Sequence, residues 1–252
     1  MSALLSVTNL SIRIGAFMPV NDVSLQVGPG AMIGLIGTNG AGKSTLFSAI
    51  TGYQTPSSGQ ILFDGKDISK FSIEERVRQG LCRSFQVPRE FKKMTVFDNL
   101  MAAAPGQAGE ALSAAIFRTA AVVREDKEIG ERARAVMDFL ELTKSRDELA
   151  GRLSGGQKKL LELGRLLMIE PKCLLLDEPF AGVNPVLIKT ITEKIRELNR
   201  RGIAFLIIEH DLSTLSALVS EMNVMDLGCI IARGVPAAVL ADVNVRRAYM
   251  GG

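Results

Sequence analysis

The 252-residue sequence contains no tryptophan, two tyrosines, one histidine and three cysteines. Cys82, Cys173 and Cys229 are odd in number and carry no metal-ligand spacing. They read as small buried residues in a reducing compartment. No apolar run approaches the roughly 18 residues that a membrane-spanning helix needs. The longest clean one, Ile203 to Ile208, is the size of a strand, so any membrane contact is expected to pass through a partner. Met1 to Leu10 lacks a basic region followed by a long apolar stretch, so no signal peptide is expected and the protein is expected to be cytoplasmic. A formal net charge of +3 is too small to imply nucleic acid as a partner. What is present is ordinary in bulk. A hydrophobic content of 47% and this length suit one large domain, or a domain with a subdomain, around a full core.

One stretch organises the chain. Gly37, Thr38, Asn39, Gly40, Ala41, Gly42, Lys43, Ser44 and Thr45 read G-x-x-x-x-G-K-S. The apolar run Met32 to Ile36 precedes them and a helix-compatible segment, Ser44 to Ile50, follows. Strand, glycine loop and helix together make a phosphate cradle. The glycines let the backbone curl until several N–H groups converge on one anion, and the helix adds its positive end. Lys43 is then placed to reach the β- and γ-phosphates of a nucleoside triphosphate, and the Ser44 hydroxyl to ligate Mg²⁺.

Around this loop the pattern alternates between strand and helix. Residues 4–14 (Leu5, Val7, Leu10, Ile12) and Val23 to Val27 have strand periodicity, the second ending at a Pro29-Gly30 turn. Gln60 to Phe63 adds a third strand with a tight turn at Asp64-Gly65. These predict a small antiparallel sheet. Helix begins near Thr95, an N-cap with Asp98 three residues on, and Ile129, Ala133, Val136 and Leu140 fall on one helical face. Residues from about 87 to 152 therefore read as a helical insertion between core segments 1–86 and 153–252. The core resumes with a buried strand, Cys173 to Leu176. Next comes a helix capped by Asn184-Pro185, faced by Ile188, Ile191, Ile195 and Leu198 and stopped by Gly202. A strand from Ile203 to Ile208, a helix from Leu212 to about Glu221, a hairpin at Leu227-Gly228 and a short helix near Ala237 to Leu240 complete it. The order predicts an α/β core with a mainly parallel sheet.

Four further places carry candidate chemistry. Leu174 to Leu176 runs directly into Asp177 and Glu178, and ligands of such sheets sit at the carboxyl ends of strands. Asp177 is a candidate Mg²⁺ ligand, and Glu178 a candidate to polarise the water attacking the γ-phosphate; an acid pair at a strand end is otherwise a common solvated feature. Leu153-Ser154-Gly155-Gly156-Gln157 combines an N-cap, two glycines and a following helix, a second anion site; from those five residues alone a flexible loop is the commoner outcome. His210, the sole histidine, ends the strand Ile203 to Ile208, where it could contact a γ-phosphate, although lone histidines are more often structural. Gln86 joins the core to the helical insertion and is a candidate contact to Mg²⁺ or to the attacking water.

Taken in order, the phosphate loop, Gln86, Leu153 to Gln157, Asp177-Glu178 and His210 resemble the ATP-binding subunit of an ATP-binding-cassette (ABC) transporter, over nearly the whole chain. The resemblance implies a P-loop NTPase (RecA-like) α/β core with an antiparallel β subdomain and an inserted α-helical subdomain, and ATP with Mg²⁺ as cofactors. It implies a head-to-tail pair with a second ATP-binding subunit, identical or homologous, in which Ser154, Gly155, Gly156 and Gln157 of one copy cap the ATP on the other's phosphate loop. It also implies transmembrane permease subunits, met through the region of Gln86, and indirectly a substrate-binding protein, so that the subunit sits on the inner face of the cell membrane. Asn184 stands where the family usually has an acid. The stretches Ala181 to Pro185, Ile208 to Asp211 and Arg247 to Gly251 are similar to branched-chain amino acid importers, with urea and amide importers sharing them. Where the family usually has an aromatic that stacks on adenine, this chain has Ile14, so the base is expected to be held by Phe17 or by apolar contact. An exporter, or an ABC ATPase acting on DNA or ribosomes, is the competing reading; the single cassette and the lack of a strongly basic stripe weigh against the latter.

Overall fold

A computed structural model describes residues 2–84, 89–106 and 120–250. The chain divides into two compact units, residues 1–86, 171–181 and 195–252, and residues 87–170 and 182–194.

In the first unit, β1 (Leu5–Ile14) lies between β2 (Phe17–Val27) and β4 (Ser58–Phe63), with β5 (Lys66–Asp67) beyond, all antiparallel. Leu5, Val7, Leu10 and Ile12 are buried, as their alternation requires. β2 starts at Phe17, earlier than its apolar pattern indicates, because Pro19 and Asn21-Asp22 interrupt the alternation. A bulge absorbs them: Asn9 and Asp22 have φ of 48° and 54°, and the Asn9 Nδ2 donates to Asp22 Oδ1 at 2.8 Å. Pro19 is tolerated because β2 is an edge strand.

The second sheet contains β3 (Met32–Gly37), β6 (Leu81–Arg83), β7 (Cys173–Asp177), β8 (Ala204–Ile208), β9 (Glu221–Asp226) and β10 (Cys229–Gly234) in the order β10-β9-β3-β8-β7-β6. All pairings are parallel except the β9–β10 hairpin, whose Leu227 and Gly228 both have positive φ. Strands β3, β7 and β8 are buried along their whole length, which is why they read as continuous apolar runs. Their carboxyl ends deliver the phosphate loop, Asp177-Glu178 and Glu209-His210 to one edge of the sheet.

Helix α1 (Lys43–Ile50) follows the loop, and α2 (Ile73–Arg78) starts from a capping box between Ser72 and Glu75. Arg76 of α2 is 2% exposed. Its guanidinium donates to the carbonyls of Ala49 (2.6 Å), Ile50 (2.7 Å), Ser69 (3.0 Å) and Phe71 (3.1 Å), satisfying the last carbonyls of α1.

In the second unit α3 (Val96–Met101) is capped by Thr95, and α4 (Ala120–Phe139) buries Ile129, Ala133 and Met137, with Leu140 just beyond it. Val136 is only half-buried. This unit is larger than the expected 87–152. It takes in α5 (Gly155–Leu167) and the first part of α6 (Pro185–Arg200), for identifiable reasons. At Gly164 a Cβ would stand 2.9 Å from Leu100 and Leu140, so the glycine lets α5 pack closely against the neighbouring helices. Lys194 pairs with Glu141 at 2.8 Å.

Helix α7 (Leu212–Ser216) ends well before Glu221, because Met222 and Val224 are taken into β9 beside β3. Two helices, α8 (Pro236–Ala241) and α9 (Val243–Met250), follow where one short helix is expected. Cys82 and Cys173 are buried, but Cys229, at the start of β10, is only half-buried. Among the described residues no helix is long and apolar enough to cross a membrane.

Candidate active site

The phosphate loop is built on close backbone approach. A Cβ at Gly37 would stand 2.1 Å from the Met225 carbonyl oxygen, and one at Gly42 1.9 Å from that of Pro19, with Gly42 at φ 99°. Lys43, buried at the head of α1, folds back so that Nζ donates to Gly37 O at 2.7 Å and Thr38 O at 2.9 Å. Burial lowers the Lys43 pKa, and the charges of Glu178 and Asp177 oppose that, so both acids reach this ammonium electrostatically. Ser44 is exposed on the first turn.

Asp177 is 5% exposed at the end of β7. Its Oδ2 accepts from Arg83 Nη2 at 2.6 Å, its amide donates to Ser84 Oγ at 3.1 Å, and Arg83 Nη1 donates to Ser48 Oγ at 3.0 Å. Glu178 follows with φ 51°, its amide held by Ile208 O at 2.9 Å. Its Oε1 lies 3.1 Å from His210 Nε2. The neighbouring Glu209 is buried, and its carboxylate accepts from the amides of Phe180 and His210.

A cavity of about 270 Å³ is lined by the loop from Asn39 to Thr45 together with Phe17, Pro19, Glu178 and His210, whereas Asp177, Arg83 and Glu209 are not among its lining residues. The structure therefore brings together Lys43, Ser44, Glu178 and His210. Phe17 is 64% exposed at its mouth, whereas Ile14, its partner across the β1–β2 turn, is exposed but does not line the cavity. Beyond Thr38 and Asn39 a second cavity, of about 820 Å³, reaches Asp226 on β9 and Asn244 and Arg247 on α9. Gln86 lies outside the described residues. Pro19, Arg83 and Glu209 are neighbours of the site that the sequence reading missed.

Ser154, Gly155, Gly156 and Gln157 belong to the second unit. Ser154 caps α5: its Oγ accepts from Gln157 N at 3.3 Å, and Gln157 Oε1 accepts from Ser154 N at 3.0 Å. A Cβ at Gly156 would meet Leu187 at 2.2 Å, while for one at Gly155 the nearest atom among the described residues is the Gly182 oxygen, at 3.9 Å. Asn184 caps α6, its Oδ1 accepting from Leu187 N at 3.0 Å.

A strand-loop-helix cradle with acids and a histidine at the ends of adjacent strands narrows the family, and a direct comparison decides it. Residues 20–181 match the ABC transporter family. The chain belongs to that family. It is the ATP-binding subunit of an ABC transporter, and it hydrolyses ATP. This cassette is 38% identical to the probable branched-chain amino acid transport ATP-binding protein LivG of Archaeoglobus fulgidus, covering 98% of this chain and 95% of the relative. It is 34% identical to the high-affinity branched-chain amino acid transport ATP-binding protein LivG of Escherichia coli, covering 98% of each. A crystal structure of the ADP conformation of an ATP-binding cassette of an ABC transporter superposes with a TM-score of 0.87 at 38% identity, covering all of both chains. The P-loop NTPase α/β fold is thereby shared.

Proposed function

We propose that this cassette energises uptake of branched-chain amino acids, and that the cavity beside Lys43 is where ATP is turned over. The observation that carries the reading is the convergence on that cavity of Lys43, Ser44, and Glu178 with His210 3.1 Å from it. Lys43 exchanges its loop carbonyls for β- and γ-phosphate oxygens. Glu178 accepts the proton of the attacking water, and His210 holds the Glu178 side chain and reaches the γ-phosphate. Phe17 supplies the aromatic face for adenine in place of Ile14.

Mg²⁺ fits the donors available. It favours one or two carboxylates with water and phosphate, and among the described residues no cluster of three or more His, Cys, Asp or Glu side chains forms an all-protein cage. Ser44 and Asp177 would hold it, and it would supply neutralisation of phosphate charge. The cargo follows from the named relatives. By the same kinship the subunit works on the inner face of the cell membrane, with permease subunits, a second cassette and a substrate-binding protein. In that pair Ser154, Gly155, Gly156 and Gln157 of one copy close over the ATP of the other. The room at Gly155 supports this, since among the described residues a Cβ there would meet nothing nearer than the Gly182 oxygen at 3.9 Å.

Glu178→Gln tests the assignment. ATP stays bound, the paired form accumulates on gel filtration, and phosphate release falls by about 10²-fold or more. Turnover at the wild-type rate would remove Glu178 from this role.

A further inference from the structure

Glu209 is 4% exposed and has no part in the chemistry above. It lies between the two turns that carry Glu178 and His210. One carboxylate oxygen accepts from Phe180 N at 2.8 Å, in the turn after β7; the other accepts from His210 N at 3.0 Å, in the turn after β8. The Asp211 amide bonds the same carboxylate. Burial pushes this acid's pKa up, the three backbone donors pull it back, and the charge of Glu178 adds a further upward push.

Glu178 needs such support. Its φ of 51° is one that L side chains rarely adopt, and such a backbone persists only where its surroundings over-determine it. Two backbone bonds hold the turn, Glu178 N to Ile208 O at 2.9 Å and Ala181 N to Glu178 O at 3.2 Å. A further bond, from Phe180 N to Glu209, ties this turn to the side chain that precedes His210.

We infer that Glu209 is a positioning residue for ATP hydrolysis: its carboxylate clamps the turn after β7 to the turn after β8 and so sets the Glu178–His210 contact, without touching nucleotide. This rests on the roles proposed above for Glu178 and His210. A glutamine of the same shape breaks the clamp, because its one oxygen can accept while its NH₂ faces a backbone N–H that also donates.

The test uses the full chain, with turnover measured in the assembled transporter. His210 is the only histidine, so with a histidine-free purification tag its ring signals identify themselves in NMR spectra of the isolated chain. Glu209→Gln is expected to keep ATP affinity, lower kcat by about tenfold to a hundredfold, and move the His210 ring signals in the direction that Glu178→Gln moves them. Wild-type kcat with unmoved signals overturns the inference. So does a fall in kcat without movement of the ring signals, which would assign Glu209 to something other than this pair. If Glu209→Gln loses ATP binding altogether, Glu209→Asp decides, since it keeps the charge but shortens the reach. Reduced kcat at intact affinity supports the clamp, and full kcat or an equal loss of binding overturns it. Full turnover in Glu178→Gln would instead sink the proposed function, so the two failures are distinguishable.

Discussion

At Gly37 and Gly42 of the phosphate loop a Cβ would collide with backbone oxygens at 2.1 and 1.9 Å, while at Gly155 the nearest atom is 3.9 Å away. Gly156 resembles the first pair, with Leu187 in the way. Both stretches open a helix with glycines, yet the reasons differ. At Gly37 and Gly42 the fold of the loop leaves no room for a side chain, and at Gly40 the positive φ of 83° favours glycine although the space is open. Gly155 has room and an ordinary φ, so among the described residues no contact requires glycine there. The difference teaches that Gly37, Gly42 and Gly156 are dictated by contacts within this polypeptide, whereas the glycine at 155 is the one for which the proposed closure over a second copy's ATP would supply a reason.

Three substitutions would break or sharpen that contrast. The largest effect is expected from Gly42→Ala, where a backbone carbonyl must move. Stability should fall by about 4 kcal/mol or more, with ATP binding lost, read by urea denaturation and nucleotide titration. Gly156→Ala should cost about 1–3 kcal/mol, because the obstacle is the movable Leu187 side chain. Gly155→Ala should change stability by less than about 0.5 kcal/mol and leave ATP affinity intact. In the assembled transporter the same variant should lower turnover by about tenfold or more. A Gly155→Ala transporter with normal turnover would erase the distinction.

The legible parts of the molecule were those where a backbone requirement or a periodicity is local. The phosphate loop, the Ser154 and Asn184 caps, the buried strands β7 and β8 and the Leu227-Gly228 hairpin each follow from residues within a few positions of one another. The capping box that opens α2, Ser72 with Glu75, was also local, but too short to stand out without the burial of Arg76 behind it. What stayed hidden depends on distant partners. Leu215, Leu218, Val219 and Met222 have helical spacing, and only pairing with β3 turns the last of them into strand. Arg83 and Glu209 gain their meaning from Asp177 and Phe180, 94 and 29 residues away. Phe17 lines the cavity and Ile14 does not although they are register partners, a difference that strand periodicity alone does not carry.

Arg76 has an effect at a distance from the contacts that it makes. Its guanidinium sits on the tail carbonyls of an eight-residue helix, where partial negative charge collects. A buried cation there earths that pole. In so short a helix the two poles nearly cancel at any distance, and removing one leaves the field lopsided. A triphosphate entering the proposed site would therefore meet something closer to a monopole than to a dipole. At the proposed site, a residue at the opposite end of the helix from Lys43 would thus add to the attraction for the anion.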